Sequence, residues 1–159
     1  MTDMVNRLPF SRNGILGVLR LITGALYTQH GVQKLFGWPA GGHNDGAVEL
    51  LSLVGAAGIL ELLGGISLVL GLATRSVAFV LAGQMAFAYW FIHFSAGLQM
   101  ENGWMPIVNG GDLAIEFCFV FLYLAVAGPG SWSVDNLFQS SAGPERSNYK
   151  GPSPTDRVA

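Results

Sequence analysis

The chain has 159 residues, 51% hydrophobic and 11% charged, with a net charge of −2 and a mean hydropathy of +0.45. Soluble domains carry about 25% charged residues, so this balance points to a membrane, and the absence of a basic excess argues against nucleic-acid binding. Cys118 is the only cysteine, which excludes an intrachain disulfide and thiolate metal cages, and its apolar surroundings predict a buried thiol.

The elements follow in chain order. Residues 1–13 read as a cytoplasmic N-terminal segment with Arg7 and Arg12. The apolar run that follows ends in no small-residue cleavage site, so it is expected to stay as a helix rather than leave as a signal peptide. Residues 14–136 read as one four-helix transmembrane domain, with spans of about 14–36, 47–72, 76–96 and 107–127, each near the ~20 residues that cross a bilayer. A Gly- and Pro-containing stretch, Gly37 to Gly46, breaks the first span from the second, and His43 within it reads as an exposed loop residue. Ala73-Thr74-Arg75 is a tight hairpin that makes the second and third spans antiparallel neighbours. Pro106 lies in the connection to the fourth span, which opens on Asn109-Gly110-Gly111-Asp112. Residues 137–159, rich in Ser, Pro and charge, are expected to be a disordered cytoplasmic tail.

The fold class is therefore all-α, an integral membrane four-helix bundle. Arg7, Arg12, Arg75, Arg146, Lys150 and Arg157 fall on the side of both termini and the short hairpin, with Lys34 alone at the opposite edge. The positive-inside rule then places both termini in the cytoplasm. Glycines crowd the first two spans as packing seams, and Trp38, Trp104, Trp132, Tyr89 and Trp90 suit interfacial aromatic belts.

Ionisable groups inside such spans carry the functional information. Glu61 lies midway along the apolar stretch Leu50 to Leu72, and a carboxylate there costs roughly 2.5–3.5 kcal/mol on insertion scales. A rise of about 1.5 Å per residue places Arg20 roughly 9 Å, Gln84 roughly 12 Å, and Glu61 and Glu116 roughly 16 Å from the inner edge. His30, His93 and Asp112 come at roughly 22–25 Å, with Lys34 just beyond. Arg20, Thr23, Tyr27, His30 and Lys34 recur at three- and four-residue steps, so they share one helix face, as do Asp112 and Glu116 on the fourth helix. The expectation is that the first and fourth helices meet through charge, with Glu61 joining from the second.

Two readings compete for this constellation. In one, Arg20 pairs with Glu61 or Glu116 and Lys34 with Asp112, and the network only fixes register. In the other, Tyr27, His30, Lys34, Arg20, His93 and Asp112 line a ligand site that opens outward, with Glu61 and Glu116 as candidate proton handlers. His30 and His93 at similar depth would suit bis-His haem ligation between helices, but no metal or intrinsic cofactor is expected. No phosphate loop, nucleophile elbow or zincin motif is present.

Arg20-x3-Gly24, then His30-Gly31-Val32-Gln33-Lys34-Leu35-Phe36-Gly37, resembles the opening signature of the DoxX family. The likeness continues through Glu61-x2-Gly64-Gly65, Thr74-Arg75, Asn109-Gly110-Gly111-Asp112 and Gly128-Pro129-Gly130-x-Trp132-Ser133-x-Asp135. Many members have Glu where this chain has Asp112. The resemblance implies a small four-helix protein of the bacterial inner membrane, similar to a subunit of an archaeal thiosulfate:quinone oxidoreductase and to membrane oxidoreductase components of oxidative-stress defence. It implies a bound quinone and an oxidoreductase partner subunit; the spans themselves imply membrane lipid as a partner, and a homo-oligomer is a further expected partner. Alternatives are an accessory or scaffold protein and a small proton-coupled transporter.

Overall fold

The computed structural model describes residues 11–40 and 46–141, and all regular structure among them is helical. Helix α1 runs Arg12–Phe36, α2 Leu53–Leu70, and α3 Thr74–Gly97, in which Ala88–Phe94 is wound as a π-helix. A short α4, Pro106–Asn109, precedes α5, Asp112–Ala127, and α6 covers Val134–Ser141.

Local chemistry sets these limits. The hydroxyls of Ser11 and Ser52 accept from the amides of Gly14 and Gly55, capping the starts of α1 and α2. Helix α2 thus starts at Leu53 rather than at residue 47, because the preceding turn is tied elsewhere. The Val48 amide donates to the Lys34 carbonyl at 2.8 Å, and the Ser52 amide to that of Glu49. The expected fourth span is two pieces, since Gly110 (φ 69°) ends α4 in the left-handed region and α5 starts only at Asp112. The tail expected to be disordered from residue 137 begins inside α6; residues 142–159 lie outside the described residues, as do 1–10 and His43.

The helices associate as two close pairs. Along α1 and α2 glycines meet backbone: a Cβ on Gly24 would lie 2.9 Å from the Gly65 carbonyl oxygen, and one on Gly31 2.9 Å from that of Gly58. Helices α3 and α5 form the second pair, burying Ala78, Leu81, Ala82 and Met85 with Ala114, Phe117, Phe121 and Leu124. Contact between the pairs is made mostly by α2 with α3; α1 and α5 touch sparsely. There Tyr27 fills the gap, its ring 4.8 Å from Phe121 and 5.3 Å from Phe117.

Many large apolar side chains nevertheless face out: Leu51 is 98% exposed, and Ile22, Leu63, Phe79, Phe91 and Phe119 are exposed too. Water would penalise that surface heavily, and lipid tails would not. Helices α2 and α3 are long and apolar enough to cross a membrane by length and composition. Helix α1 exceeds their length but carries a polar stripe, and α5 has 16 residues.

Candidate functional site

One turn of α1 separates His30 from Lys34, and another separates it from Tyr27, so the three side chains rise along one face. Gly58, one turn before Glu61 on α2, lets α1 come close: a Cβ there would meet the Lys34 Cβ at 3.1 Å. This approach brings the Lys34 ammonium onto Glu61 Oε1 as a hydrogen-bonded ion pair. From α3, Gln84 Nε2 donates to the same Oε1 and to the Ala57 carbonyl, both at 3.3 Å.

The Glu61 side chain is 2% exposed and that of Lys34 25%, so the pair reaches from the interior toward the surface. Three buried oxygens on these helices have no hydrogen-bond partner among the described residues: Tyr27 Oη, Glu61 Oε2 and Gln84 Oε1. Tyr27 stands two turns before Lys34 on the same face of α1. Buried polar atoms are satisfied in most proteins, and such exceptions gather at working sites. His30 packs its ring edge-on against Phe117, 6.1 Å between centroids, on the rim of the sparse α1–α5 contact.

Arg20 departs from expectation. It pairs with neither Glu61 nor Glu116. Its Nε donates to the Pro129 carbonyl (2.9 Å), Nη1 to Leu68 and Val69 (2.7 and 3.1 Å), and Nη2 to Ser131 and Trp132 (3.2 and 2.8 Å). All five N–H groups are used on main-chain oxygens, two of them at the negative end of α2. The side chain is 0% exposed, so no donor remains for a ligand. Gly71 makes this packing fit: its φ is +68°, and a Cβ would lie 2.8 Å from Arg20 Cζ.

Neighbouring helix ends are closed in the same manner. The Asp135 carboxylate accepts from the Ala73 and Thr74 amides (2.7 and 2.9 Å), capping α3, which has no capping side chain of its own. Arg75 donates to the carbonyls of Ala125, Val126 and Ala127 at the end of α5. Neither role was read from the sequence. The signal was the side chain's charge matched to a helix end far away in the chain.

At the opposite end, His93 Nδ1 is 3.2 Å from the Asn109 carbonyl oxygen, whose own side chain joins the Gly103 carbonyl to the Gly111 amide. Asp112 opens α5, and both it and Glu116 are exposed. Lys34 therefore pairs with Glu61 and not with Asp112, and the charged contact joins α1 to α2 rather than to α5. The close α1–α2 glycine seam decides this, since it sets Lys34 on Glu61 while aromatic rings separate α1 from α5. Lys34, Glu61 and Gln84 are brought into contact, with Tyr27 and His30 on the Lys34 face of α1 and packed on Phe117; Arg20, His93, Asp112 and Glu116 are not part of that group. Among the described residues no group of three or more His, Cys, Asp or Glu could hold a metal ion.

The arrangement defines an α-helical membrane protein with a buried, partly unsatisfied polar cluster. The DoxX family model matches residues 15–94. A protein of Haemophilus influenzae, described only as uncharacterized, is 37% identical over 136 residues, covering 84% of this chain and 98% of its own length. No solved structure matches. The chain belongs to the DoxX family.

Proposed function

We propose that the protein is the membrane subunit of an oxidoreductase system and binds the polar head of a quinone at the Tyr27–Lys34–Glu61–Gln84 cluster. The observation that carries this reading is the set of three buried, unpartnered oxygens around one ion pair. They supply one hydroxyl donor and two acceptors, the complement of a quinone carbonyl and of a quinol hydroxyl. Lys34 brings positive charge to an oxygen that becomes negative as electrons arrive from a redox partner, and Glu61 takes or gives the accompanying proton. His30 borders the sparse α1–α5 contact, through which an apolar ligand would enter from the bilayer.

In this proposal α1, α2, α3 and α5 cross the bacterial inner membrane, with both termini in the cytoplasm. Arg12 and Arg75 stand at that end and Lys34 at the other, as the positive-inside rule requires. Exposed Trp132 at one end, and exposed Trp38 and Trp104 at the other, suit the two interfaces.

The test is quinone binding to the purified full chain, followed by quenching of tryptophan fluorescence, in wild type, Tyr27→Phe and Glu61→Gln. Affinity should fall about tenfold or more in each variant, the loss of roughly one charge-assisted or buried hydrogen bond. Unchanged affinity in both variants would sink the quinone reading. A second reading, an accessory scaffold, is favoured by the depth of the Glu61 carboxylate: the ion pair then only clamps α1 to α2. In that case Glu61→Gln loses thermal stability in detergent and neither variant shows a ligand effect.

A further inference from the structure

Helix α6 has its amphipathic pattern turned inside out. Val134, Leu137 and Phe138 recur at three- and four-residue steps and form its apolar face, with Asp135 and Asn136 on the polar side. In water such a helix would press the apolar face onto the protein. Here the polar residues hold it there instead. The Asp135 carboxylate accepts from the Ala73 and Thr74 amides, the Asp135 amide donates to the Gly71 carbonyl at 2.9 Å, and Asn136 Nδ2 donates to the Gly130 carbonyl at 2.7 Å. Ser133 Oγ accepts from the Asn136 amide and so caps the first turn. Leu137 and Phe138 are left 66% and 67% exposed.

The lead into α6 is fixed as firmly. Trp132 is exposed, and its backbone lies in the left-handed region (φ +55°), which bulky residues rarely adopt. Arg20 holds that turn by donating to the Trp132 carbonyl. The segment is thus built to display apolar side chains, and its position says what covers them. It is tied to the end of α2 and the start of α3, at the edge of the exposed apolar surface. Phe138 borders a depression with Ser76 that adjoins the strip of Phe79, Leu122 and Val126, all exposed, between α3 and α5. The apolar face of α6 therefore continues the surface that suits lipid, at the level where tryptophan and in-plane amphipathic helices are favoured.

We propose that α6 is an in-plane foot that seats the protein in the lipid interface, with Leu137 and Phe138 inserted about 5–10 Å into the boundary between headgroups and acyl chains. The proposal rests on the reading that α2 and α3 cross the bilayer, and not on the quinone cluster.

The full chain with Cys118→Ala, carrying one nitroxide at a time, is reconstituted into vesicles of phosphatidylcholine and phosphatidylglycerol. Labels at Phe138→Cys, at Phe79→Cys on α3 and at Glu101→Cys near the opposite end are compared by their collisions with oxygen, which concentrates in the bilayer, and with a water-soluble nickel chelate. The expected result is a Phe138 label about 5–10 Å below the headgroups, a deeper Phe79 label and a Glu101 label in water. Adding Leu137→Glu should lift the Phe138 label to the headgroups while the Phe79 label keeps its depth. A Phe138 label in water beside a Phe79 label in lipid would overturn the foot and leave the spanning reading intact. Both labels in water would overturn the spanning reading, and the foot with it. A Phe138 label shielded from both collision partners, or broadened by a second label nearby, would assign the face to a protein partner or a second copy and overturn the proposal. An unmoved label in Leu137→Glu would do the same, because the clamp at Asp135 alone would then hold the helix.

Discussion

Two buried charges, Arg20 and Glu61, sit a few helical turns apart and are treated in opposite ways. Arg20 is saturated: five donors meet five main-chain oxygens from α2 and from the segment after α5. Glu61 is half-answered, with Oε1 receiving Lys34 and Gln84 while Oε2 has no partner. A saturated buried charge gains nothing from a ligand and serves to tie elements together. A half-answered one retains the capacity to bind and to exchange protons. The difference separates architecture from candidate chemistry along the α1–α2 pair.

The comparison breaks most visibly at Arg20. Arg20→Ala removes five hydrogen bonds at the junction of α1, α2 and the 128–135 segment, and should lower stability in detergent by at least about 3 kcal/mol. Thermal unfolding checks this, and Arg20→Lys should recover little, since an ammonium cannot serve five diverging acceptors. A mild effect of either change would remove the saturated half of the contrast.

Next in size is the ion pair. Lys34→Ala strands the Glu61 carboxylate, whereas the double variant Lys34→Ala with Glu61→Gln removes both charges. Across the resulting double-mutant cycle the coupling should be about 0.5–3 kcal/mol, read from unfolding midpoints. Additive single effects would mean that the pair holds nothing.

Asp135→Ala tests a smaller contribution. Loss of the cap on α3 should cost about 1 kcal/mol, and hydrogen exchange should rise at the Ala73 and Thr74 amides first. Smallest of all is Tyr27→Phe. Its hydroxyl makes no hydrogen bond, so deletion should leave stability within about 0.5 kcal/mol of wild type while weakening quinone binding. A large loss of stability from Tyr27→Phe would show that the hydroxyl already has a partner, and the half-answered cluster would be an ordinary core.

Much of this was legible before any coordinates. The helical class and the prominence of Glu61, Lys34, Tyr27 and His30 follow from apolar run lengths and a three- and four-residue polar repeat, and the family from the resemblance of short motifs in their order. Pairing was less legible. Depth along each helix placed Arg20 below Glu61 and Lys34 near Asp112, but depth says nothing about rotation, and rotation decides which side chains face each other. Gln84 stood at a readable depth and still escaped the site, because a neutral amide gives no charge signal. Glu116 was grouped with Glu61 on depth alone, yet it is exposed on α5.

The sequence by itself determined what each helix must hide or show, since desolvating charge and backbone in lipid is costly wherever a helix happens to pack. It also determined family membership, which rests on the order and spacing of short motifs. Tertiary structure alone decided which charges become saturated and which keep an open valence. Those outcomes depend on close approaches permitted at Gly31, Gly58 and Gly71, and on carbonyls brought to Arg20 from more than a hundred residues along the chain. Hydrogen bonds act over a few ångströms, so only the folded arrangement of α1, α2 and the segment after α5 could settle them.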